Sequence, residues 1–159
     1  MTQTTPVTID DLEQQEARFV FAQFNEETAY EIGAALVESA RAASAPVVID
    51  IRTPDRTLFH AAMPGSAPDN DHWARRKSNT VLRQHRSSLL AGMRLAAKGR
   101  DVGPGIGLDP MEFSAHGGSV PIRVSDVGVI GAVTVSGLAS EEDHAMIADV
   151  LSRHLGLAD

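Results

Sequence analysis

Residues 116–137, HGGSVPIRVSDVGVIGAVTVSG, alternate between apolar and polar side chains and reverse near Ser125-Asp126-Val127-Gly128. A period of two over two adjacent runs predicts an antiparallel hairpin with one face buried, which commits this end of the chain to a sheet. The hairpin opens on His116-Gly117-Gly118 and closes on Ser136-Gly137. Bare main chain beside a histidine has two readings. It is a bulge or kink where a strand packs against a helix, or it lets a flat or anionic ligand come close to exposed N–H groups.

The rest of the chain supplies partners for that hairpin. Thr8, with Asp11 three residues on, predicts a capped acidic helix. Residues 18–24 then read as a strand. Asn25 caps a second helix whose apolar stripe is Ala29, Ile32, Gly33, Leu36, Val37 and Ala40, ending before Pro46. Residues 47–52 and 57–61 read as two strands around Thr53-Pro54-Asp55-Arg56. A loop of two or four residues sets Ile51 opposite Leu58 and Ile49 opposite His60, with Asp50 facing Phe59; an odd loop reverses this. His60 then reads as a core histidine, on the opposite face from Asp50. Asp69 or Asp71 is expected to cap a basic helix that breaks near Arg86-Ser87-Ser88, and residues 103–107 form a loop. Ser140 begins the last helix, where Glu141, Glu142 and Asp143 favour the helix dipole. The expected fold is α+β, a roughly five-stranded antiparallel sheet flanked by helices. Its 159 residues are expected to form a single domain, residues 1–159, with residues 1–7 a flexible tail.

Composition narrows the chemistry. Cysteine is absent, which removes disulfides and thiolate chemistry together. No apolar run is long enough to span a bilayer. The first residues carry neither a basic start nor an apolar stretch, so a cytoplasmic protein without membrane contact is expected. The net charge is −7, yet residues 72–100 hold eight of the fourteen basic residues and no acidic one, leaving a net of −15 elsewhere. Such segregation speaks about partners. Nucleic acid fits poorly, because five Phe, one Tyr and one Trp offer little for stacking bases and no reader motif is present.

Lys77 in a polar helix, Gly117-Gly118-Ser119-Val120-Pro121-Ile122, Ile130-Gly131-Ala132-Val133-Thr134-Val135-Ser136-Gly137 and Glu142-Asp143 together resemble the haem-degrading-domain family, which includes GlcG, HbpS and the PduO C-terminal domain. The Trp73-Ala74-Arg75-Arg76-Lys77 cluster resembles a narrower UPF-type subfamily within it. The resemblance covers most of the chain. It implies a profilin-like sheet, assembly as a homo-oligomer, and haem or a corrinoid as a cofactor. One departure is His116 before two glycines, where the family more often has three.

Residues and resemblance point to one candidate site, where the basic helix meets the hairpin. Trp73, Arg75, Arg76, Lys77, Asn79, His116, Gly117 and Gly118 are its expected ligand-binding residues. Arg offers a planar donor fork for carboxylates, Lys a point charge, and Trp73 an apolar cover. A small anionic ligand is the expected partner. His116 is a lone histidine with no second ligand at metal-binding spacing. Two other readings stay open: a non-enzymatic homo-oligomeric scaffold whose basic helix mates with an acidic face of another copy, and oxygen chemistry on bound haem.

Overall fold

A computed structural model describes residues 6–157. Most of the expected tail, residues 1–5, lies outside the described residues. Helix α1 (Ile9–Arg18) starts from the anticipated capping box: Thr8 Oγ1 accepts from Asp11 N at 3.1 Å, and Asp11 Oδ2 accepts from Thr8 N at 2.9 Å. Helix α2 (Glu26–Ala43) begins the same way, with Asn25 and Thr28 bonded reciprocally. Its stripe of Ala29, Ile32, Leu36 and Ala40 is fully buried. Each of the two larger side chains contributes roughly 1.5–3 kcal/mol by leaving water.

Strands β1 (Val20–Phe21), β2 (Val48–Arg52), β3 (Thr57–Ala62), β4 (Ser119–Val124) and β5 (Gly128–Ser136) form one sheet in the order β1-β4-β5-β2-β3. The architecture is α+β as expected, but the sheet is mixed, not purely antiparallel. β1 runs parallel to β4, with Val20 beside Arg123 and Phe21 beside Val124. No tight turn joins these two strands, so nothing local imposes an antiparallel direction.

The β2–β3 register also departs from expectation. Arg52 pairs with Thr57, as a four-residue loop requires, but a bulge then inserts one residue of β3. Asp50 consequently pairs with His60, and Ile51 with Phe59. One extra residue moves every later side chain to the other face. Asp50 and His60 therefore share a face, contrary to the sequence reading.

The two faces differ in character. Ile49, Ile51, Val120, Ile122, Val133 and Val135 pack beneath α2 and helix α5 (Ser140–His154) as the main apolar core. The opposite face lies under helix α3 (Pro68–Gln84) and is polar. There Thr134 Oγ1 sits 2.7 Å from both Ser78 Oγ and Ser119 Oγ, all buried. Helix α3 opens from Ala67, not from an aspartate: Pro68 presets the first turn, and Asn70 Oδ1 accepts from Ala67 N at 2.8 Å. Asp69 instead accepts from the Trp73 indole at 3.2 Å, and Asp71 faces His60. The expected break is present. His85 is left-handed at φ 57°, and Ser87 caps helix α4 (Ser88–Ala97) through Leu90 N.

Candidate functional site

The centre of the site is an ion pair inside the protein. Lys77 projects from α3 toward the sheet, where its Nζ lies 3.0 Å from Asp143 Oδ2 and 3.0 Å from the Val135 carbonyl. Both side chains are almost fully buried, at 4% and 1% exposure. Asp143 also accepts from the N–H groups of Gly137 and Leu138, so one carboxylate ties β5, α5 and α3 together. Burial pushes the Lys77 ammonium down from its ordinary range, while the Asp143 charge pulls it back. Burial likewise pushes the Asp143 carboxyl up, opposed by Lys77 and the two backbone donors. Asp143 therefore does more than favour the helix dipole.

The paired glycines have a steric cause. A Cβ on Gly117 would lie 2.6 Å from the Ser140 carbonyl, so the first turn of α5 rests directly on this main chain. Gly118 has φ +125°, and a Cβ there would lie 2.6 Å from Lys77 Nζ and 2.5 Å from the Val135 carbonyl. Bare backbone at Gly118 makes room for the ammonium.

Above this pair an open cleft of about 550 Å³ runs between α3, α4 and the segment before β4. Trp73, Arg76, Met93, Phe113, His116 and Gly117 are among its lining. The Arg76 guanidinium stacks over Trp73, 4.0 Å from the ring centroid. Its Nη1 makes one long bond, 3.3 Å, to the Pro110 carbonyl, leaving most of its donor fork free among the described residues. His116 meets Trp73 edge-to-face at 5.2 Å, and its Nδ1 lies 3.5 Å from Ser140 Oγ. A second, smaller chamber of about 230 Å³ shares Trp73, His116 and Ser140 with the cleft and has Lys77 and Asp143 in its wall.

The eight anticipated residues therefore divide. Trp73, Arg76, His116 and Gly117 meet at the cleft, and Lys77 and Gly118 lie at the buried pair. Arg75 and Asn79 are turned elsewhere. Arg75 donates to Glu112 Oε2 at 2.7 Å and to the Met111 carbonyl, and Asn79 donates to the Glu112 carbonyl. Both fasten the segment before the hairpin onto α3. Sequence reasoning missed Arg100, Phe113 and Ser140 in the cleft lining, and Asp143 at the pair. Of these only Asp143 carried a signal, through the Glu142-Asp143 motif.

A separate polar cluster lies along β2 and β3. Asp50, buried, receives the Arg52 fork and sits 2.9 Å from His60 Nδ1, while His60 Nε2 lies 2.9 Å from Asp71 Oδ1. Among the described residues no group of three or more His, Asp or Glu is placed to hold a metal ion. No described helix is long and apolar enough to cross a membrane.

Comparison with known proteins identifies relatives in sequence and in fold. A UPF0303 protein of Streptomyces coelicolor is 49% identical over 155 residues, covering 98% of each chain. A UPF0303 protein of Edwardsiella ictaluri is 43% identical over 143 residues, covering 90% of this chain and 91% of that one. Among solved structures, the Ybr137w protein superposes with a TM-score of 0.84 at 32% identity, over 96% of this chain and 90% of that one. A PduOC:haem complex shares the fold, with a TM-score of 0.67 at 20% identity over 84% and 94% of the chains. Residues 24–152 match the family described as haem degrading protein HbpS-like. The chain belongs to the HbpS-like haem-degrading protein family.

Proposed function

We propose that the cleft binds a planar small molecule carrying carboxylates, with haem the foremost candidate and a corrinoid the second. One observation carries the reading: a guanidinium with most of its donors free among the described residues, Arg76, is held flat on Trp73 at the mouth of a cleft lined by both apolar and charged groups. An anionic edge suits the fork of Arg76, with Arg100 also on the lining, while Leu89, Met93 and Phe113 suit an apolar ring. The volume of about 550 Å³ lies within the roughly 300–1,000 Å³ usual for cofactor sites. The cleft is large enough for a tetrapyrrole and offers it the two cations Arg76 and Arg100, although Asp101 and Glu141 also stand in the lining and favour acidic groups placed on the Arg76 side. The haem complex of the similar PduOC fold lends support. When bound, haem supplies a redox-active iron. The chain's own residues orient the ring and hold its acidic groups.

The scaffold reading has less support, because three of the four cations of α3 are engaged within the molecule. Arg75 pairs with Glu112, Lys77 with Asp143, and Arg83 lies over Phe113. Haem titration followed by its Soret absorbance tests the proposal. Arg76→Glu should weaken uptake at least tenfold, about 1.4 kcal/mol or more. Equal binding by wild type and variant would overturn the assignment.

A further inference from the structure

We infer that Lys77 is a nucleophilic amine serving the smaller chamber, where it condenses with a short aldehyde or ketone to form an imine. The inference does not depend on what occupies the larger cleft. It starts from the placement of an ion pair that is nine-tenths buried yet stands in the wall of an open chamber of about 230 Å³. As a fastening alone, such a pair is a poor choice, since apolar side chains of similar volume hold helices together without the desolvation cost. Gly118, whose φ of +125° and closeness to the Val135 carbonyl already exclude a Cβ, also leaves the ammonium its place between that carbonyl and Asp143.

The surroundings suit amine chemistry. Burial pushes Lys77 down and Asp143 up, so the proton between them moves more easily than it would in water. Asp143 Oδ2, 3.0 Å from Nζ, accepts one proton from the ammonium. The free amine attacks the carbonyl carbon; a C–N bond forms and the oxygen, taking up the amine's proton, becomes a hydroxyl. Asp143 then returns its proton, the C–O bond breaks and water leaves. The product is a protonated imine on Lys77 beside an ionised Asp143. No oxidant or reductant enters. The charge beside Asp143 is the same before and after, so the buried pair stays neutral throughout. Asn70, Ser140 and His116 line the chamber and offer hydrogen bonds to a small polar carbonyl compound.

The chain contains only two lysines, which makes the test internal: Lys77, and the exposed Lys98. The whole protein is treated with acetaldehyde and cyanoborohydride near neutral pH, digested, and the alkylated peptides quantified by mass. The Lys77 peptide should be labelled at least about tenfold faster than the Lys98 peptide. Asp143→Asn should lower that ratio. Labelling of Lys77 at or below the rate of Lys98 overturns the inference, and this wild-type ratio decides even where the variant does not fold. Haem uptake is read separately, so failure of one proposal leaves the other standing.

Discussion

Asp50 Oδ2 and His60 Nδ1 lie 2.9 Å apart across β2 and β3, with the Arg52 guanidinium closing the other side of the carboxylate. The carboxylate is buried at 1% exposure, whereas His60 is 40% exposed. Removing the buried member strands a cation, and removing the exposed one does not. Asp50→Ala should therefore destabilise the protein by about 3 kcal/mol and His60→Ala by about 1 kcal/mol or less. Urea midpoints at a fixed pH measure both. Equal losses would show that the cluster is held from the surface instead.

Gly118 and Gly99 separate two costs of adding a methyl group. Gly99 has φ +66° with nothing within 4 Å of an added Cβ, so Gly99→Ala should cost only the dihedral penalty, about 1 kcal/mol. Gly118→Ala meets a harder backbone problem, since φ +125° lies outside the left-handed helical region, plus Lys77, Val135 and Asp143 at close range, and should cost about 3 kcal/mol or more. Thermal unfolding of the pair distinguishes them.

His144 predicts an acid sensitivity. It is buried in α5, its Nε2 lies 2.7 Å from Gln15 Oε1, and burial lowers its pKa from 6.5 to about 4. Between those values the unfolded chain binds a proton that the folded one does not, so stability falls as the pH drops from 6.5 toward 4. The full loss is about 3 kcal/mol and levels off below the folded value. Glu16 acts in the opposite sense. Burial raises it above 4.5, so the folded state keeps a proton in a window just above that value. The difference between wild type and His144→Leu, followed by denaturant midpoints from pH 4 to 7, isolates the histidine. A parallel pair of curves would refute the assignment.

Arg75 and Arg76 are neighbours with different duties. The Arg75–Glu112 pair is 38% and 54% exposed, so Arg75→Ala should cost under about 1 kcal/mol. It should also leave haem titration nearly unchanged, in contrast to changes at Arg76. A matching loss of binding in both variants would place the ligand along the Glu112 segment.

Local signals were legible in the sequence. The caps at Thr8 and Asn25, the helix break at Arg86-Ser87-Ser88, the stripe of α2 and the 116–137 hairpin all rest on residues within a turn or two of one another. Two features escaped for the same physical reason. The bulge in β3 is one residue of slack absorbed by the sheet, and it inverts the face of Asp50 relative to His60. Lys77 looks like its exposed neighbours in a basic run, and only the tertiary arrival of Asp143, 66 positions away, turns it inward. At the cleft, Trp73, Arg76, His116 and Gly117 were found from one helix and one glycine pair. Phe113 and Arg100 come from an irregular segment whose path no periodicity describes.

The hydroxyls of Ser78, Thr134 and Ser119 have a mechanical consequence. Oily contacts tolerate sliding, because one methyl serves as well as the next. Directional contacts accept a single alignment, so α3 has one longitudinal seating on the strands beneath it. Trp73, Arg76 and Lys77 ride on that helix, and the aim of all three is set by a row of oxygen atoms that touches none of the molecules they would meet.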